Sequence, residues 1–535
     1  MRLFGFLMST SFIFCLGVAG ACAAANALPE MGSSAQVLLT PAQQADFGAL
    51  LLAQLHQRGD VVVDPLLTAW LKELSNRLQS HSNQPRQSFT LFLLRDREIN
   101  AFATFGGYIA VNAGVILTTE NESELSAVIA HEMAHVTQHH MLRSIERARR
   151  DQLPVLMGLL AMLAAAQQSH GASHANATMA GISGAFGLLE QRQINYTRTQ
   201  EAEADRIGIR TLAHSGYDPY AMATFFQRLE WTSRTDDGGE ESPAYLRTHP
   251  LTSTRISEAK ARAEQLHAVS ERAQSRWLGS DDTSALADPL LPRHLQFSAK
   301  AAQDETADDN TFTWARERLR VLVSPNLTET IHTYEKQSDQ TEGKLTAAQR
   351  YGLALARVLS HTQIEETIAP VQNLAREFPL NHWVALLLAR ALDLNGQHAA
   401  ATRQIETILR QSPGQAEITL SIAQILNERA SEASGKYAER LLRPLLPSFK
   451  QDVTTVETYA RACALAGDND HASEAYAEAT YLRGYPEHAL MQLQALLGRD
   501  LDYTMHARID ARIAALTPEV LELRRRGLRD PVTEP

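Results

Sequence analysis

The chain has 535 residues, enough for two or three domains. Its 61 acidic residues outnumber 50 lysines and arginines, for a formal net charge of −11, and no basic cluster carries interleaved aromatics, which argues against a nucleic-acid partner. Of three cysteines, Cys15 and Cys22 sit near the start and leave Cys463 without an internal partner, so a disulfide framework is excluded.

Residues 1–27 carry Arg2, an apolar run from Leu3 to Gly20, and Ala25-Asn26-Ala27. This is the pattern of a secretory signal with an A-x-A cleavage site, and it predicts an exported protein. The single early charge also leaves an uncleaved anchor open. Cys22 follows Ala19-Gly20-Ala21, a poor match to a bacterial lipoprotein signal. Further on, Phe89 to Leu94 and Tyr108 to Val111 read as strands, with Gly106-Gly107 as a turn. An edge strand there could pair with an extended substrate through main-chain hydrogen bonds. The other reading is a hairpin that only supports the helix after it.

That helix holds His131-Glu132-Met133-Ala134-His135, an H-E-x-x-H motif. Helical residues four apart share a face, so both imidazoles can reach one metal ion. The intervening glutamate can hold a water against the metal and take its proton. Leu125, Val128, Ile129, Ala130 and Met133 give the helix an apolar stripe, and Asn121 with Glu124 resembles a capping box at its start. Catalytic zinc usually takes three protein ligands and keeps a fourth position for water. A third ligand is therefore needed.

Residues 153–166 are apolar almost all round but fall short of the roughly 20 residues that span a bilayer. They read as a buried helix, an interfacial helix in peripheral contact with a membrane, or a flap over the site. Residues 171–187 are rich in Gly, Ala and Ser, which predicts conformational freedom. Next come Glu201 and Asp205, four apart at the start of another helix. Glu201 could bind zinc, and Asp205 could orient a ligand histidine by accepting its second N–H. An acidic helix start favoured by the macrodipole is the alternative. Glu203 is expected to face solvent, as are His139 and His140. His170 and His174 are given no role. Thr248-His249-Pro250 follows. A His before a Pro in a loop is ordinarily a surface residue or a cap; beside a metal site His249 could instead stabilise an oxyanion or occupy the open metal position.

These motifs in order resemble the gluzincin peptidases related to HtpX and the CAAX prenyl proteases. The resemblance rests on H-E-x-x-H, then E-x-x-x-D at Glu201 and Asp205, the segment from Asn100 through Phe105-Gly106-Gly107 to Val111, and Thr248-His249-Pro250 with Arg255-Ile256. It implies one Zn2+ per chain on His131, His135 and Glu201. It further implies Glu132 as general base, Asp205 as a supporting or proton-donating acid, and His249 in a site role. No run of long apolar spans follows the signal, so the prenyl proteases' membrane architecture is not carried over.

Pro379, Pro413 and Pro447 recur at intervals of 34 residues, the period of tetratricopeptide repeats. Ala389, Ala401 and the Asn395-Gly396 turn fit one such helix pair, and Ala466-Gly467-Asp468 turns another. The unit ending at Pro447 looks degenerate around Ser434-Gly435. The expected fold is mainly α: a signal at 1–27, a gluzincin metallopeptidase domain of helices and a small sheet or hairpin at 40–267, a linker at 268–311, and an α-solenoid of tetratricopeptide repeats at 312–535. An exported zinc peptidase joined to such repeats resembles the periplasmic proteases that assist outer-membrane barrel assembly. That implies unfolded or misassembled outer-membrane proteins as substrates, and docking on the outer-membrane assembly machinery through the repeats. The other readings are a chaperone or adaptor with rare proteolysis, and a membrane-anchored quality-control peptidase.

Overall fold

The computed structural model describes residues 39–148, 196–235, 243–278, 311–340, 345–448 and 452–525. The signal with Cys15 and Cys22, the apolar segment 153–166, the stretch 171–187, His170 and His174, and the linker beyond Leu278 lie outside them. No helix among the described residues is long and apolar enough to cross a membrane.

Helix α1 (Pro41–Gln57) begins at a capping box in which Thr40 and Gln43 satisfy each other's backbone N–H groups. Pro41 supplies the preset φ that favours a first helical position. Helix α2 (Pro65–Ser80) is capped by Asp64, and Leu67, Leu71, Leu74 and Leu78 form its buried stripe. A three-stranded sheet follows, built of β1 (Thr90–Leu94), β2 (Ala101–Ala103) and β3 (Tyr108–Asn112). The order is β1-β3-β2, with β3 parallel to β1 and antiparallel to β2. The hairpin is therefore β2–β3, and β1 is a parallel neighbour. The hairpin turn, Phe105–Gly107, needs its glycines. Gly106 has φ 73°, and a Cβ there would lie 2.7 Å from the Ala45 Cα of α1.

Helix α3 (Ala113–Thr118) leads to α4 (Glu122–Thr137), which carries the H-E-x-x-H motif. Asn121 caps α4 by accepting from the Glu124 N–H. The Glu124 carboxylate takes the Glu120 N–H instead of closing a capping box. Leu125, Val128, Ile129 and Met133 are buried along α4. A turn through His139, at φ 52°, ends α4 and starts helix α5 over 140–148. Helix α6 spans 196–214, followed by α7 (Ala221–Thr235), α8 (Ala244–Thr248) and α9 (Ser253–Leu278). The last of these runs past residue 267 into the segment expected to be linker.

The second half is a stack of helices opening with α10 (Thr311–Leu322) and α11 (Leu327–Gln340). Five antiparallel pairs follow: α12–α13 (Ala347–Leu359, Ile364–Glu377), α14–α15 (His382–Leu394, His398–Gln411), α16–α17 (Ala416–Glu428, Glu432–Leu442), α18–α19 (Val453–Ala466, Asn469–Leu482) and α20–α21 (Pro486–Leu497, Tyr503–Arg525). This is the helical solenoid expected from the 34-residue period. Pro379, Pro413 and Pro447 each follow the second helix of a pair. Ala389 and Ala401 are fully buried, where only a small side chain lets two helices approach. The middle unit is not degenerate. Ser431 and Ser434 cap α17, and a Cβ on Gly435 would lie 2.6 Å from the Ala466 N, so glycine here permits close packing on α18.

The halves share one apolar core running from Val62 to Ala479. Helix α10 packs on α2 and α3, with Phe312 against Trp70. Across the same seam, the Arg318 guanidinium makes two hydrogen bonds to Asp64, at 2.9 and 2.6 Å, and a third to the Tyr351 hydroxyl at 2.9 Å.

Candidate metal centre

Three helices bring the site together. Helix α4 supplies His131, Glu132 and His135; α6 supplies Glu201 and Asp205; and His249 ends α8. Close packing of α6 on α4 depends on Gly208, whose missing Cβ would sit 3.1 Å from the His131 N. All of these residues are buried except His135, which is partly exposed.

One ligand atom from each of His131, His135, Glu201 and His249 lies within 4.8 Å of the others. The Nε2 atoms of His131 and His135 are 3.0 Å apart, and Glu201 carboxylate oxygens lie 3.4 and 3.5 Å from them. The His249 Nδ1 is 3.3 Å from the His131 Nε2 and 3.1 Å from Glu201. Ligand bonds of 2.0–2.1 Å around a tetrahedral zinc put neighbouring donors roughly 3.3 Å apart. The donor set therefore fits a single ion of that kind. Charge points the same way. Glu132, Glu201 and Asp205 are three buried carboxylates, and one buried guanidinium, Arg255, offsets them, leaving two negative charges when the histidines are neutral. A divalent cation balances that residue of charge, which is costly to leave buried and unpaired.

The surroundings fix each group. Asp205 lies 2.9 Å from the His131 Nδ1 and receives two hydrogen bonds from Arg255, at 2.7 and 2.8 Å. Arg255 also reaches Glu201 at 3.1 Å and donates to the Pro250 carbonyl at 2.9 Å. Sequence reasoning quoted Arg255 only as part of a late segment and gave it no role, because no spacing rule pairs a residue of α9 with one of α6. Glu132 accepts the Ala103 N–H of edge strand β2 at 3.0 Å through one oxygen. Its other oxygen is buried without a hydrogen bond, 3.4 Å from the His249 Nε2. Burial raises the Glu132 pKa, with Glu201 adding to the effect, while His249 and His131 oppose it. For Glu201, burial acts upward, but hydrogen bonds from His131 and His249 win and hold it far below the usual carboxylate range. The Tyr245 ring stacks on His249 at 4.6 Å between centroids, and the His249 N–H donates to the Tyr245 carbonyl.

Two residues expected in solvent are not there. His140 is buried and lies 2.9 Å, Nδ1 to Nδ1, from His135. Glu203 is partly buried and pairs with His140 at 3.2 Å and Arg143 at 3.0 Å. The helical pattern misled because α4 stops at Thr137 and the turn at His139 folds His140 back over it. His139 itself stays in that turn, partly exposed. Burial holds His140 below the ordinary histidine range, against the upward pull of Glu203.

Comparison with known proteins gives the same chemistry. The profile of Peptidase family M48 matches residues 65–263, which takes in every residue named above. A beta-barrel assembly-enhancing protease of Yersinia pestis is 30% identical over 92% of this chain and 92% of its own length. One from Escherichia coli is 30% identical over 92% of this chain and 91% of its own. A putative one from Vibrio cholerae is 40% identical over 52% of this chain, which is 59% of that protein. The chain belongs to peptidase family M48, as a metal-dependent peptidase of the group those proteases form.

Proposed function

We propose that this chain is a periplasmic zinc endopeptidase that acts on unfolded or misassembled outer-membrane proteins and assists their assembly. The observation that carries the chemistry is the set of four donor atoms within 4.8 Å of one another, with Glu132 beside it. His131, His135 and Glu201 hold one zinc ion. Bound there, such an ion would supply Lewis acidity that polarises a carbonyl and lowers the pKa of a water to about 7. Glu132 takes the proton of the attacking water and delivers it to the leaving amine. The unpartnered oxygen of Glu132 faces the donor set and suits that task. Asp205, fixed by Arg255, stands 2.9 Å from the His131 Nδ1, where it can take that N–H and hold the ring in its ligating tautomer. Edge strand β2 donates to Glu132 from its last residue, so an extended segment paired along that strand would run past the base.

Of the two roles open to His249, the geometry favours the blocking one. Its ring lies between Glu132 and the ligands, where the attacking water must sit. In this reading His249 would serve as a fourth donor beside Glu132 in the resting enzyme, and hydrolysis would require its withdrawal. The same feature favours a second reading, in which the repeats act as a chaperone or adaptor and cleavage is rare. The relatives' name, the secretory pattern of residues 1–27 and the repeat solenoid support the outer-membrane assignment. The assembly machinery is the partner proposed for the repeats.

The test is metal analysis with cleavage of casein and of a denatured outer-membrane barrel. Wild type, Glu132→Gln and His249→Ala are compared. One zinc per chain is expected in all three. Glu132→Gln loses about 10²–10⁴-fold in rate, and His249→Ala cleaves faster than wild type. A metal-free wild type would sink the site. A slower His249→Ala would restore the oxyanion role. Full cellular function in Glu132→Gln would favour the chaperone reading.

A further inference from the structure

The two helix α4 histidines are anchored by different chemistry. His131 has a carboxylate, Asp205, on its second nitrogen. His135 has none. Its Nδ1 meets the Nδ1 of another imidazole, His140, at 2.9 Å. One of the two nitrogens must carry the hydrogen. If His135 ligates through Nε2, which faces the donor set, then its Nδ1–H donates and the His140 Nδ1 accepts. The hydrogen of a neutral His140 then resides on Nε2, which lies 3.2 Å from the Glu203 carboxylate. Arg143 donates to the same Glu203 oxygen at 3.0 Å. Gln200 donates to the His140 carbonyl at 3.0 Å and ties α6 to the start of α5.

On the reading that His135 is a metal ligand, we propose that His140 and Glu203 are positioning residues for it. Glu203 sets the tautomer of His140, and His140 sets the orientation and basicity of His135. The chain thus extends the usual carboxylate–histidine–metal arrangement by one imidazole. Metal-bound histidine generally needs such a partner, and its loss typically costs 10–100-fold in metal affinity. A purely space-filling His140 would need only its volume. Here both ring nitrogens are aimed at partners, within a buried ring.

Zinc affinity decides the matter, measured on the full chain by competition with a chromophoric chelator. Thermal unfolding of the metal-free proteins runs alongside. His140→Leu keeps bulk and removes the acceptor; its zinc affinity should fall about 10–100-fold. His140→Asn places an amide oxygen near the Nδ1 position and should restore affinity toward wild type. Glu203→Ala lies at the partly exposed end of the chain and serves even if a His140 variant fails to fold; it should bind zinc more weakly than wild type. The proposal is overturned if His140→Leu and Glu203→Ala bind zinc as tightly as wild type, or if His140→Asn is no better than His140→Leu. A wild type that binds zinc under those outcomes leaves the ligand reading standing. A wild type that binds none removes both.

Discussion

The two halves of this molecule solve opposite packing problems. The peptidase half buries charge. It gathers residues as far apart in sequence as His131 and His249, separated by 118 positions, and closes them into a polar cluster beneath apolar helices. The repeat half buries methyl groups between neighbours in sequence, so α14 packs on α15 and α18 on α19. Several of its ion pairs, such as Arg508 with Glu474 and Arg512 with Glu478, lie towards the surface and bridge adjacent pairs of helices, while Asp393 with Arg429 is a more buried exception. Errors in the first half therefore leave unpaired buried charge, and errors in the second leave steric misfit. The first should cost more and reach further.

Substitution at Arg255 probes the largest difference. Arg255→Leu leaves Asp205 and Glu201 buried without their cation, so the metal-free protein should lose about 3–5 kcal/mol in urea unfolding. Zinc should recover part of that loss, because a bound metal stabilises the native state by mass action. No recovery with zinc would mean that the carboxylates are not answering to a metal. In the repeats, Gly435→Ala forces a methyl group within 2.6 Å of backbone at Ala466. Overpacking of this kind costs about 1–3 kcal/mol. Casein cleavage per folded molecule should be unchanged. A matching fall in cleavage would show that strain between α17 and α18 reaches the site through the shared core. The smallest effect is expected at Cys463. Burial pushes its thiol up to about 12, so it is neither exposed nor ionised near neutral pH. A thiol reagent should leave the native chain unmodified and react once it is unfolded. Fast native modification would contradict the packing of α18.

The contrast also explains what could be read from the residues. Repetition is visible in one dimension. The 34-residue spacing of Pro379, Pro413 and Pro447 announced helix pairs, and small residues at 389 and 401 marked their contacts. The H-E-x-x-H motif was visible because four residues of helix are a local rule. Glu201 and Asp205 could be nominated from their helical spacing of four, against an acidic helix start, but only a family resemblance ties them and His249 to α4, since nothing in spacing brings α6 and the end of α8 there. Arg255 was passed over for the same reason. His140 reads as solvated when a helix is extrapolated through His139, where the chain turns at φ 52°, and Glu203 does so because it lies off the Glu201–Asp205 face, which the returning His140 covers. The strand pairing is half legible: aromatic and branched residues mark β1 and β3, but not that they run parallel.

The seam at Asp64 has a consequence in time. Asp64 caps α2 through the Leu67 N–H, and its carboxylate is also held by Arg318, 254 residues later. A chain crossing a membrane from its N-terminus presents the peptidase residues first. Until the first helix of the solenoid arrives, α2 lacks Arg318 and the apolar cover of Phe312 over Trp70. The catalytic half is thus incomplete while the half proposed to choose its clients is still missing. Full packing of α2 in the peptidase half therefore waits on the first helix of the repeat half.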